Sequence, residues 1–310
     1  MSSERRQLST TDLGPLRLRY LEQDGVHGLE LTPLSADDRR AERRSTVDDD
    51  PAATAVAPGG MPSGALDPLA LLHVRGDAQQ SGFSAGRTMR ASTSTTGTEW
   101  VGQVADASSV TTTLRTAHGL RVVHRAELAS SRTALWFTTT VVNDTGSAVT
   151  LEALSSFCLT ALSPFDRADS AERLVLHRYR SAWSAEGHRE SRTLEELHLE
   201  RSWSGASVLS ERFGQVGTMP VRGWAPFAAL EDVVAGVVWA AHVAWSGSWQ
   251  LEVARRHDDV SLSGGLADRE LGHWSLTLAP GEAVVSPAVL VTCVEGDLDD
   301  AHDALLAAQG

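Results

Sequence analysis

SERFGQVGTMPVRGW at residues 210–224, APFAALED at 225–232, GSWQLEV at 247–253 and SGGLADRELGHW at 263–274 fall within one 65-residue stretch, and their reading decides the fold. Short runs rich in Val, Leu and Trp are cut by Gly, Ser, Asp and Pro, the signature of strands joined by turns. The spacing predicts strands at 206–216, 237–245, 249–254, 260–263 and 274–278. Working outward, residues 110–116, 120–128, 134–143, 149–160, 174–182 and 284–294 follow the same pattern, and Asn143-Asp144-Thr145-Gly146 supplies turn chemistry between two of them. So many strands with so little helix between them predict two large antiparallel sheets packed face to face. Helical signal is confined to two places. Asp297 is placed to cap a helix carrying Leu298, Ala301 and Leu305 on one face, and a short helical turn is expected at 193–199.

Composition bounds the function classes. The chain has 310 residues, 42% hydrophobic and 22% charged, ordinary for a globular protein. All 27 basic residues are Arg; against 40 acidic ones they leave a net charge of −13, which disfavours nucleic acid and anionic membranes as partners. Cys158 and Cys293 are too few and too far apart for a disulfide scaffold or a metal knuckle, and read as small core residues. The N-terminal MSSERRQLSTTDLG has no apolar run, and no stretch reaches the roughly 18 apolar residues of a spanning helix, so a cytoplasmic protein is expected. Residues 35–64, mixed in charge and then rich in Ala, Pro and Gly, read as a mobile loop.

Motifs that carry chemistry are scarce. Asp268 and Glu270 are the best local carboxylate pair, but alternate residues on a strand diverge, and a retaining glycosidase needs its two carboxylates about 5–5.5 Å apart. They are expected to pin a turn together with Arg269. Eleven histidines include no HxH, HExxH or paired Cys/His spacing; His242 and His273, beside tryptophans, are expected to be partly buried and hydrogen-bonded. No nucleophile elbow, phosphate loop or dinucleotide fingerprint is present, so no cofactor or metal is implied. The nine tryptophans are the remaining clue. An indole face stacks on the C–H groups of a pyranose while nearby polar side chains bond its hydroxyls. Two places offer that combination, Trp183 with Glu186 and Arg189, and Trp224 with Arg222; most of the others are expected to fill the gap between the sheets.

The words quoted above, together with LHRYRSAWSAEGHRESRTLEELHLERSWSG at 176–205, resemble the N-terminal domain of the α-galactosidases (melibiases) of glycoside hydrolase family thirty-six. The likeness covers roughly residues 81–310. It implies a galactose-mutarotase-like β-supersandwich over 1–294, with 295–310 as a helical linker toward an absent catalytic (β/α)₈ barrel. It also implies that the domain supports barrel docking, assembly into a dimer or tetramer and one wall of the sugar site, without catalytic residues of its own. Relatives carry an N-terminal motif resembling EYP…GDFR…PA whose aspartate reaches a galactose in the next subunit. Here Ala65 stands at that position, so sugar contact is lost there unless Asp67 has shifted into its place. Two other readings remain, a freestanding carbohydrate-binding module for galactosides and a purely structural assembly domain.

Overall fold

The structure is a computed structural model that describes residues 5–39, 66–77, 92–165, 172–199, 209–217, 223–256, 259–269 and 271–309. Two sheets make up the fold. The first sheet begins with a meander of β1 (Arg6–Leu13), β2 (Leu16–Gln23) and β3 (Val26–Pro33), continues through β9 (Val149–Leu159), β16 (Asp259–Leu266) and β15 (Trp249–Arg256), and ends at β12 (Leu209–Gln215). Two short strands, β4 (Leu72–Val74) and β17 (Leu276–Leu278), also pair with β9. The second sheet runs from β11 (Arg189–Thr193) through β10 (Leu174–Tyr179), β13 (Phe227–Asp232), β14 (Val237–Val243), β19 (Val289–Glu295), β8 (Leu135–Val142), β7 (Arg121–Leu128) and β6 (Ser109–Arg115) to β5 (Glu99–Ala105), with β18 (Ala283–Val285) beside β8.

The antiparallel expectation holds with one exception, a parallel contact of β3 with β9 at Leu29 and Leu159. The expected single strand over 284–294 is two, β18 and β19, both paired with β8. The N-terminal meander had not been foreseen, although its signal was present. Leu16, Leu18 and Tyr20 alternate with Arg17 and Arg19, and Asp24-Gly25 closes the hairpin with both residues at positive φ, 53° and 75°. That is the backbone of a primed two-residue turn, which the right-handed twist of paired strands favours.

The core lies between the sheets. Leu16, Leu18, Tyr20, Leu29 and Leu31 of the meander meet Phe157, Leu251, Val253, Val260 and Leu262 and, from the second sheet, Phe137, Leu230, Trp239 and Val291. Each fully buried side chain of this kind contributes about 1.5–3 kcal/mol. Trp239 is wholly buried and donates its indole N–H to the Leu31 carbonyl at 2.7 Å, so the largest core residue also ties one sheet to the other. Trp249 is buried and Trp100, Trp224 and Trp274 pack against the same core, as expected for most of the tryptophans; Trp203 lies outside the described residues.

Helix α1 (Leu298–Gln309) forms as read, with Asp297 Oδ1 accepting from the Asp299 and Asp300 amides at 2.9 and 3.2 Å and Asp300 returning the bond to the Asp297 amide. It packs on the domain itself. Leu298, Ala301, Leu305 and Ala308 pack on the outer face of the second sheet against Phe227, Ala229, Val238, Ala240 and Leu290. The turn expected at 193–199 is one capping box without a helix behind it: the Thr193 hydroxyl accepts from the Glu196 amide and the Glu196 carboxylate from the Thr193 amide. Residues 34–39, at the start of the expected loop, make a 3₁₀ turn (Leu34–Arg39) whose Asp37 is bonded by Arg17 and Arg19; the remainder of that loop, 40–64, lies outside the described residues.

Candidate functional site: the indole and guanidinium cluster at the sheet edges

The two sheets meet at an edge where β12 ends the first and the β10–β11 pair ends the second. Arg178, buried on β10, spans that edge: its guanidinium donates to Glu190 on β11 at 2.7 and 3.1 Å and to Glu211 on β12. Arg180 adds a 2.7 Å bond to the other Glu190 oxygen. Burial pushes the Glu190 carboxyl up, but the hydrogen bonds and charges of Arg178 and Arg180 outweigh it and hold the pKa below the ordinary carboxylate range. Trp224 sits among these groups. The Arg178 and Arg180 guanidinium carbons lie 3.9 and 3.6 Å from its ring centroid, and Phe213 meets it edge-on at 5.7 Å. Such contacts bind a cation to an aromatic face with about 0.5–2 kcal/mol each. The indole expected as a sugar platform is thus engaged by guanidinium groups of its own chain.

Trp183 is different. It stands on the turn that joins β10 to β11, 82% exposed, above a backbone fixed by bonds from Ser181 N–H to the Gly223 carbonyl, Ala185 N–H to Ala182 and Gly187 N–H to Arg180. Ser184 takes the left-handed conformation at φ 63°, which turns the chain beneath the ring. Glu186 and Arg189 are exposed near it in sequence, and the bridge between Arg180 and Trp224 brings both indole-bearing segments to one end of the molecule. The edge therefore offers an open, rigidly mounted aromatic face with charged neighbours, chemistry suited to holding a polyol rather than to breaking a bond. Arg222 lies outside the described residues, as do Ala65 and Glu270.

Asp67 is elsewhere. It is buried, 3.2 Å from the equally buried Arg256 guanidinium, while its amide donates to the Thr160 hydroxyl at 3.1 Å. In this position it fastens the segment before β4 to the first sheet. Asp268 is also buried; it pairs with Arg212 and caps the Leu271 amide at 2.6 Å, so it pins the turn as expected. Arg269 was expected in the same cluster but reaches Glu152 at 2.8 Å instead. His242 is bonded to Gln309 at 3.2 Å, with its pKa lowered by burial, whereas His273 is exposed in a left-handed conformation at φ 56°. Among the described residues no three His, Cys, Asp or Glu side chains gather as a metal site. The groups that sequence reasoning missed are Arg178, Arg180, Glu190 and Glu211. Opposite charges at facing positions of RYR (178–180) and HRE (188–190) were the available signal.

Comparison with known proteins places this geometry in context. No curated protein matches the chain in sequence. Among solved structures it resembles the α-galactosidase AgaA of Geobacillus stearothermophilus, in complex with stachyose, at a TM-score of 0.63 and 14% identity, over 96% of this chain and 42% of that one. The α-galactosidase of Lactobacillus brevis aligns at 0.55 and 11% identity, over 93% and 39%. The chain thus spans about two fifths of the structures it resembles, and at these identities the likeness shows the fold. The profile of the glycosyl hydrolase family 36 N-terminal domain matches residues 76–277, well over half of the chain and inclusive of β5 through β16 and the indole-bearing edge, so the chain belongs to that family.

Proposed function

We propose that this chain is the non-catalytic N-terminal domain of a cytoplasmic α-galactosidase, a hydrolase of O-linked α-galactosides, and that it supports a (β/α)₈ catalytic barrel and subunit assembly into a dimer or tetramer. The observation that carries this reading is the family match over residues 76–277, joined to an alignment that uses nearly all of this chain and only 42% of the α-galactosidase it resembles. Two cysteines, both free and buried, accord with a reducing compartment. Among the described residues no helix is long and apolar enough to cross a membrane.

One observation favours a second reading, galactoside binding by the domain itself: the open indole of Trp183. The two are separated with purified chain. 4-Nitrophenyl α-galactoside is expected to stay intact, and light scattering is expected to report a dimer or larger; nitrophenol release in proportion to the chain would overturn the non-catalytic assignment. Calorimetric titration with melibiose tests the second reading. Heat that disappears in Trp183→Ala supports a sugar platform, and no heat at millimolar ligand removes it.

A further inference from the structure

The outer face of the second sheet carries an array outside the indole cluster. Ser191 on β11 faces His177 on β10 across the strand pair, and its hydroxyl lies 2.8 Å from His177 Nδ1. The other ring nitrogen, Nε2, lies 2.8 Å from a carboxylate oxygen of Glu231 on β13. A carboxylate only accepts, so Nε2 carries the proton; Nδ1 is left as an acceptor and takes its hydrogen bond from the Ser191 hydroxyl. The polarity is that of a nucleophile, a general base and a carboxylate that fixes the base's tautomer.

We propose that Ser191, His177 and Glu231 form a nucleophilic triad that accepts acyl groups from small, unhindered esters. Exposure supports the assignment, because Ser191 is open to solvent while His177 is buried behind it. A merely structural hydrogen bond would gain little from a hydroxyl that water already satisfies. Burial lowers the His177 pKa, an effect that Glu231 opposes and Arg189 and His302 reinforce, which favours the neutral imidazole that can accept a proton at Nδ1. Arg189, two residues before Ser191 on β11, shares its face of the strand, so the array carries a cation on the side that Ser191 presents. In the reaction Ser191 Oγ bonds to the acyl carbon, the hydroxyl proton passes to His177 Nδ1 and on to the leaving alkoxide as its C–O bond breaks. Water then repeats the sequence and releases the acid.

The test uses the whole chain, an alkyl fluorophosphonate, and 4-nitrophenyl acetate. A single phosphonyl adduct on Ser191 is expected by peptide mass spectrometry, with fluoride as leaving group, and a burst of nitrophenol is expected that Ser191→Ala abolishes. Removing the base in His177→Gln is expected to slow labelling about 100-fold, in line with the usual contribution of general-base catalysis. Glu231→Gln is expected to slow it less, with far-UV circular dichroism unchanged. Labelling of Ser191 no faster than that of Ser108, an exposed serine bonded to Asp106, would overturn the proposal. So would a nitrophenol burst that survives Ser191→Ala. Neither outcome bears on galactoside chemistry, which this inference does not require.

Discussion

The two outer faces of the sandwich are sealed by opposite means. On the second sheet, Phe227, Ala229, Val238, Ala240 and Leu290 lie under the apolar stripe of α1, with the His302 ring stacked on Phe227, and in this patch the cover is mainly apolar side chain against apolar side chain. On the first sheet the strands β15 and β16 bury Leu251, Val253, Val260 and Leu262 inward, yet their other face, with Glu252, Arg256, Asp259, Ser261 and Ser263, is buried as well. There the closure is ionic: Arg256 to Asp67 at 3.2 Å, Arg5 to Asp259, and Arg19 to Glu30 at 3.1 Å, with Thr32 and Asp37 completing the Arg19 guanidinium. The difference concerns how each face fails. An apolar cover loses stability roughly with the area removed, whereas a charged one holds only while both partners are present, since a lone buried charge is far costlier than an exchanged methyl group.

The sharpest way to break the comparison is Asp67→Ala, which leaves Arg256 buried without its carboxylate on this side and is expected to cost about 3–5 kcal/mol by urea denaturation. Replacing the guanidinium too, in Asp67→Ala with Arg256→Met, is expected to restore part of that loss, because the apolar pair carries no desolvation penalty. Equal stability of the single and double variants would show that the charges do not depend on each other, and the ionic account of this face would fail.

Between the two faces lies a third case, a buried basic group with no charged partner. His124, fully buried on β7 with its ring 5.4 Å from Phe137, has no hydrogen bond to either nitrogen among the described residues, and burial lowers its pKa to about 3. Because the folded pKa is depressed below 6.5, the unfolded chain takes up the proton first. The contribution to stability is therefore intact above pH 6.5 and lost as pH falls toward 3. Between pH 7 and pH 4 the loss is expected to be roughly 3 kcal/mol, with His124→Leu flattening that part of the stability curve. Parallel curves for the two proteins would mean that the acid sensitivity resides in the surface carboxylates.

The apolar side of this contrast was legible in the sequence and the ionic side was not. Leu298, Ala301 and Leu305 behind Asp297 specify a helix with one sticky face, and β8 alternates buried and half-buried residues along its length as a strand with one inward face does. Local spacing cannot reveal that this face returns to its own sheet. Asp67 and Arg256 are 189 residues apart, and no periodicity links them; only the fold brings them within bonding distance. The candidate edge shows both limits. Trp183 and Trp224 stood out by residue type, but that Arg178 and Arg180 engage Trp224 while Trp183 remains open depends on a bridge between β10 and the segment before β13. Ser191, His177 and Glu231 were within view in the quoted words, and nothing local joins three strands into one hydrogen-bonded line.

The smallest expected effect belongs to the apolar cover. Leu305 is buried on the inward face of α1 within the second sheet's outer apolar cluster, so Leu305→Ala removes apolar area without orphaning a polar group. A loss of about 2–3 kcal/mol is expected, at the lower end of the usual range, because a single amphipathic helix laid on a sheet can settle into part of the cavity. Leu305→Met, which keeps the volume, is expected to cost less than about 1.5 kcal/mol. The pair of values calibrates the contrast. If Leu305→Ala destabilised as strongly as Asp67→Ala, the helix would be a cooperative part of the sandwich rather than a cover laid upon it, and both faces would fail in the same all-or-none way.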